Sequence, residues 1–112
     1  MSDAIEHLYD CVQALRHAAP ERSRTAKLFR DGMPKMAKKL AEEAAEVALD
    51  AVQGNRGAVV LESADLLYNL CVLWAQAGIT PEEVWAELDR REKMMGIAEK
   101  LPKTQFHSVP AA

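Results

Sequence analysis

An all-α chain is expected, a bundle of four to five helices completed by homodimerisation, and three observations predict it. Apolar residues recur at spacings of three and four along most of the chain, with no useful strand-like alternation and no internal repeat. Proline, glycine and small polar residues fall between those stretches, where helices begin and end. Finally, residues 59–77 are apolar almost all round, which predicts a helix buried on most sides. A chain of 112 residues can hardly enclose such a helix alone. A second copy sharing the core is the natural solution.

The first helix is expected over residues 3–17. Asp3 is placed to cap it, with Glu6 as capping-box partner, and Ile5, Leu8, Tyr9, Val12 and Leu15 form its apolar face. Ala19-Pro20 ends it, because proline lacks the donor the next turn needs. A short helix over residues 23–30 carries Arg24, Lys27 and Arg30, and Asp31-Gly32 breaks it. Pro34 suits the first turn of a long helix running to about Gln53, closed by Gly54-Asn55. The central helix follows, from about Gly57 to Ala77, and Gly78-Ile79 ends it. Thr80-Pro81-Glu82-Glu83 starts the last one, with Thr80 as cap and Glu83 closing a capping box. After Glu92 the pattern weakens. Residues 1–93 are therefore read as one all-α domain and residues 94–112 as a C-terminal extension, partly mobile in its proline-framed tail.

Composition narrows the function classes. Hydrophobic residues make up 49% of the chain, which excludes a disordered protein, and the net charge of −3 argues against general nucleic-acid binding. No apolar run approaches the ~18 residues of a membrane span, and the acidic N-terminus has no signal-peptide core. A soluble cytoplasmic protein without membrane or nucleic-acid partners is expected. Cys11 and Cys71 lie in apolar helical surroundings without zinc-type spacing, so both are read as reduced core residues. His7, His17 and His107 read as ordinary surface residues, and Trp74 and Trp85 as core or dimer contacts.

Charge is distributed unevenly. Residues 22–39 hold Arg22, Arg24, Lys27, Arg30, Lys35, Lys38 and Lys39 against one acid, Asp31. Acidic clusters follow: Glu42-Glu43-x-x-Glu46, then Glu62-x-x-Asp65 in the central helix. No Lys or Arg occurs between Arg56 and Arg90. At helical geometry Lys39, Glu43, Glu46 and Asp50 fall within about 60° of one another, as do Glu62, Asp65 and Asn69. If the two acidic helices pack together, Glu43 and Glu46 face Glu62 and Asp65. Bare carboxylates gathered there would repel, and two remedies stand open. One is a hard divalent cation such as Mg²⁺, which takes oxygen ligands and serves phosphate chemistry. The other is a set of interhelix salt bridges to Lys39 or Arg24. Lys38 with Glu42 and Lys39 with Glu43 also form ordinary i,i+4 pairs.

The same residues carry a resemblance. Ser23-Arg24-Thr25-Ala26-Lys27-Leu28, Gly32-x-x-Lys35, Lys38-Lys39-x-x-Glu42-Glu43-x-x-Glu46-Val47, then Glu62-x-x-Asp65-Leu66-Leu67-Tyr68 resemble the all-α, MazG-like nucleoside triphosphate pyrophosphohydrolases. Within that superfamily the phosphoribosyl-ATP pyrophosphohydrolase family, which serves histidine biosynthesis, is the most similar. The resemblance implies a helical homodimer in which water cleaves an α–β phosphoanhydride and pyrophosphate leaves. It implies that Glu43, Glu46, Glu62 and Asp65 hold Mg²⁺, and that Glu42 takes a proton from water or orients a ligand. Arg24, Lys27 and Lys39 would contact phosphates, and Asn69 would lie beside the substrate. The chain departs from the family at Arg24, where tyrosine is usual, at Ala41, where glycine is usual, and at Asn69, where histidine is usual. The alternatives are a related enzyme using another nucleoside triphosphate and a non-catalytic helical dimer.

Overall fold

The computed structural model of the protein describes residues 3–95. Five helices follow one another: α1 (Ala4–Leu15), α2 (Arg24–Asp31), α3 (Met33–Val52), α4 (Arg56–Ala77) and α5 (Pro81–Met95). No strand occurs among the described residues, so the chain is all-α.

The helix ends follow local chemistry with one exception. Ser23 caps α2, its hydroxyl accepting from the Ala26 amide at 3.0 Å. Asn55 caps α4 in the same way, accepting from Ala58 at 3.1 Å. Gly78 closes α4 with φ 75° and ψ 26°, left-handed geometry that a glycine adopts without strain. Pro34 lies in the first turn of α3 as expected. Asp3 is the exception: its side chain makes no capping bond to α1. Its backbone carbonyl accepts from His7 at 2.9 Å instead.

Helices α1 to α4, up to Pro81, form one compact unit, and the residues from Glu82 onward belong to another. In the first unit α3 and α4 form the main pair, joined by a short turn, while α1 crosses onto α4 and α2 bridges both partners of the pair. The core is built from Tyr9, Val12, Leu28, Met36, Cys71, Val72 and Ala75, with Ile5, Leu8, Phe29, Met33, Tyr68 and Trp74 packed against it. Polar bonds tie its edges. The Tyr9 hydroxyl donates to the Ile79 carbonyl at 2.9 Å. Arg16 donates to the Ala75 carbonyl at 3.2 Å and to Gln76 Oε1 at 3.4 Å, placing a cation at the C-terminal end of α4, where the helix dipole favours it. The Arg16 guanidinium also lies 4.7 Å from the centre of the Phe29 ring.

Within one chain the buried residues of the central helix, Asn69, Cys71, Val72 and Ala75, all lie in its second half, while Val60, Leu61 and Leu67 are exposed, so one chain alone leaves part of this helix uncovered. Two sequence expectations, the burial of Cys11 and the length of the apolar runs, need correction here. Cys71 is buried, but Cys11 faces solvent on the outer side of α1. By length and composition alone, α4 is apolar enough to cross a membrane, contrary to the reading that no run approached that length. It packs against α1, α2 and α3, with 28% of that apolar stretch buried within one chain, and it carries the carboxylates of Glu62 and Asp65.

Helix α5 carries its own charge network. Glu87 accepts from both Arg90 and Arg91, which pull its carboxyl down to about 2, and Lys93 pairs with Asp89 at 3.1 Å. His107 and the tail expected to be mobile lie outside the described residues.

Candidate active site

The acidic lines of α3 and α4 meet. Oxygen atoms of Glu43, Glu62 and Asp65 lie within 4.8 Å of one another, and so do those of Glu46, Asp50 and Glu62. Glu62 belongs to both groups and is the centre of the cluster. The i,i+3 spacing on each helix aims successive carboxylates at one point, and the α3–α4 packing brings the two points together.

Crowding of this kind marks the groups electrostatically. The Glu62 carboxyl is pushed up to about 7, first by a hydrogen bond shared with Glu43, then by desolvation, then by the charges of Glu43, Asp65 and Glu46. One oxygen of Glu43, Oε1, is buried with no hydrogen-bond partner. A buried acceptor without a donor is costly, so this carboxylate asks for a proton or a cation. The donor set is all oxygen, with no His or Cys, and suits a hard divalent ion.

Among the described residues no ion pair joins Lys38, Lys39 or Arg24 to any of these carboxylates. The bases gather in cavities instead. Arg24, Lys27, Lys35 and Lys39 line one of about 210 Å³ between α2 and α3. Lys39 stands one turn before Glu43 on α3, so the basic cavity and the acidic cluster are neighbours along one helix.

Thr25 and Tyr68 connect the two charge regions. Their hydroxyls are 2.6 Å apart, and Thr25 is buried. Arg24 lies over the Tyr68 ring at 5.9 Å from its centre. Tyr68 in turn follows Asp65 by three residues on α4, so α2 is pinned beside the carboxylates.

The remaining expected site residues divide. Glu42 is exposed and lies outside both carboxylate groups. Asn69 is 3% exposed, and its amide donates to the Asp65 backbone carbonyl at 2.8 Å, four residues back on the same helix. Asp50 was missed as a cluster member, although its place on the Lys39–Glu43–Glu46 face was legible from helical spacing. Thr25 and Tyr68 were also missed as a pair. Nothing local signals a hydrogen bond between residues 43 positions apart.

Known proteins match the chain along nearly all its described length. A family model described as phosphoribosyl-ATP pyrophosphohydrolase matches residues 5–92. A protein of Rhodopseudomonas palustris named phosphoribosyl-ATP pyrophosphatase 2 is 62% identical over 112 residues, covering 100% of this chain and 85% of the relative. One of Bradyrhizobium diazoefficiens with the same name is 65% identical over 104 residues, 93% of this chain and 78% of the relative. A phosphoribosyl-ATP pyrophosphatase of Azospirillum brasilense is 53% identical over 96 residues, 86% of each chain. With the family model covering α1 through most of α5 and relatives this similar over most of their own length, the chain belongs to the phosphoribosyl-ATP pyrophosphohydrolase family.

Proposed function

We propose that the protein hydrolyses phosphoribosyl-ATP to phosphoribosyl-AMP and pyrophosphate, a step of histidine biosynthesis, as a soluble cytoplasmic homodimer. The observation that carries this reading is the convergence of Glu43, Glu62 and Asp65 within 4.8 Å, beside a basic cavity that ends at Lys39. Family membership supplies the substrate.

Glu43, Glu46, Glu62 and Asp65 hold Mg²⁺ in this reading, and Asp50 completes the acidic wall beside Glu46 and Glu62. When bound, Mg²⁺ neutralises phosphate oxygens and makes a bound water more acidic. Arg24, Lys27 and Lys39 bind the phosphate chain from the other side and hold it against the carboxylates. Water attacks phosphorus, the α–β bridging P–O bond breaks, and pyrophosphate departs with the electrons of that bond. Glu42, the exposed carboxylate beside Glu43, takes the proton of the water or orients a ligand. Asn69 acts from behind the site, its amide fixed on the Asp65 carbonyl. The catalytic domain spans residues 1–93, with 94–112 as an extension.

One observation favours a second reading, a pyrophosphohydrolase of the same mechanism with another nucleoside triphosphate. Arg24, a departure from the family pattern, sits on the Tyr68 ring and lines the basic cavity, where it can change what the cavity accepts. Pyrophosphate release with Mg²⁺ from phosphoribosyl-ATP, beside a panel of ribo- and deoxyribonucleoside triphosphates, separates the two. Glu62→Gln is run in parallel. Strong preference for phosphoribosyl-ATP, lost in the variant, is expected. Turnover of another nucleotide instead moves the reading to the second one. A Glu62→Gln protein as active as wild type overturns both.

A further inference from the structure

We propose that the cavity on the outer side of α2, built around Arg22 and Arg30, is a second anion subsite that takes the 5′-phosphate of the substrate's second ribose. This rests on the substrate reading above and deepens it. The inner cavity and the carboxylate cluster take the triphosphate; the outer cavity takes the other charged end.

The outer cavity has a volume of about 470 Å³, and four cations line it, Arg22, Arg24, Lys27 and Arg30, against one acid, Glu21. It shares Arg24 and Lys27 with the inner cavity that ends at Lys39, so the two are neighbours on α2. The sequence explains the shape. Arg24, Lys27 and Arg30 follow at i,i+3, which sets them as a slowly turning ridge on one side of a helix. Arg22 joins from the preceding turn, whose amides at Arg22 and Ser23 both donate to the Ala19 carbonyl, at 2.9 and 3.1 Å.

The charges there are largely uncompensated. Arg30 pairs only with its exposed neighbour Asp31, at 3.2 Å, and Arg22 and Lys27 make no ion pair among the described residues. The chain as a whole carries a net charge of −3, so this is a local excess and not a general basic surface. Mutually repelling cations held in one groove favour an anion that lies between them.

The substrate supplies the need for two such sites. Phosphoribosyl-ATP carries a triphosphate on one ribose and a phosphomonoester on another, with the purine between. The triphosphate belongs at the inner cavity, because only that one borders the acidic cluster through Lys39. The outer cavity is left for the phosphomonoester. ATP has no second charged end. The outer subsite therefore reads the difference between the substrate and the far more general nucleotide, and acts as a specificity determinant.

The test compares kcat/KM for phosphoribosyl-ATP and for ATP, the latter as substrate or as competitive inhibitor, with Mg²⁺. Arg22→Ala, Arg30→Ala and the double variant are measured. Arg56→Ala, a charge removed at the start of α4, gauges general electrostatic attraction. The double variant is expected to lower selectivity for phosphoribosyl-ATP over ATP by about tenfold, carried by KM, as the loss of charge-assisted phosphate contacts in an open groove. Arg22→Lys with Arg30→Lys should recover part of it. Equal losses on both nucleotides, or no loss on either, overturn the subsite. An unchanged melting temperature identifies a selectivity loss as a binding effect. A wild-type protein without preference for phosphoribosyl-ATP defeats the substrate reading and the subsite with it. A wild-type preference that survives in the double variant defeats the subsite alone.

Discussion

Glu62 is the residue on which the acidic cluster turns. Its carboxyl ionises at about 7 in the fold instead of 4.5, so the folded chain holds this proton more tightly than the unfolded one. The stability it contributes is complete below 4.5 and is lost as pH rises through about 7. Without metal, the melting temperature of wild type should therefore fall relative to Glu62→Gln as pH rises from 4.5 to about 7 and level off above that. Added Mg²⁺ competes with the proton and should reverse the order at the alkaline end, where the carboxylate is bare. Melting curves of both proteins, with chelator and with Mg²⁺, check this; a pH-independent difference between them would remove Glu62 from its central place. The two thiols give a second residue-scale expectation. Cys11 is exposed, whereas Cys71 is buried and its thiol is pushed up to about 11 by desolvation. A thiol reagent at neutral pH should modify Cys11 rapidly in the native protein and Cys71 only on unfolding, which mass spectrometry of the labelled peptides reads directly.

At the scale of helices, α2 matters because it is short and yet positions the bases. Eight residues make a weak helix in isolation, and its place is set by Thr25 and Leu28 buried against α3 and α4. The 2.6 Å bond between Thr25 and Tyr68 is the specific link. Tyr68→Phe leaves the buried Thr25 hydroxyl without that partner and should cost about 1–3 kcal/mol. Adding Thr25→Val removes the orphaned hydroxyl, so the double variant should be less destabilised than the sum of the singles. Denaturant unfolding of the four proteins in a double-mutant cycle gives the coupling. Additive losses would mean that the two hydroxyls do not act as a pair. The α3–α4 pair that carries the carboxylates rests on the core beneath it, where Met36 and Val72 are fully buried. Met36→Ala should cost about 2–5 kcal/mol through the cavity it leaves, measured by the same unfolding experiment.

For the whole molecule, the apolar surface left uncovered is as informative as the core. Leu49 and Val52 at the end of α3 and Val60 and Leu61 at the start of α4 are exposed, Val52 at 85%. All four lie at one end of the α3–α4 hairpin, next to the turn that joins the helices. A homodimer that covers this end would bury them and protect the flank of the acidic cluster. Leu61→Asp should then convert a dimer into a monomer in sedimentation velocity at micromolar concentration, while a wild-type protein that sediments as a monomer would overturn the homodimer.

Much of this protein is written in local sequence. Helix ends at Ser23, Pro34, Asn55 and Gly78 follow from side-chain and backbone chemistry within one turn. The i,i+3 carboxylates of α3 and α4, the basic segment ahead of them and the family membership were all readable without a fold, because each depends on residues a few positions apart. What needed the tertiary structure is the set of facts that depend on which faces meet. Asp50 joins Glu46 and Glu62 only through the register of α3 on α4. Thr25 finds Tyr68 only because α2 folds back across that pair. The apolar first half of α4 is uncovered within one chain because α1 packs near its other end, tied there by Arg16. Periodicity tells a helix which side is apolar; the register between helices decides which partner that side, and each carboxylate on it, actually meets.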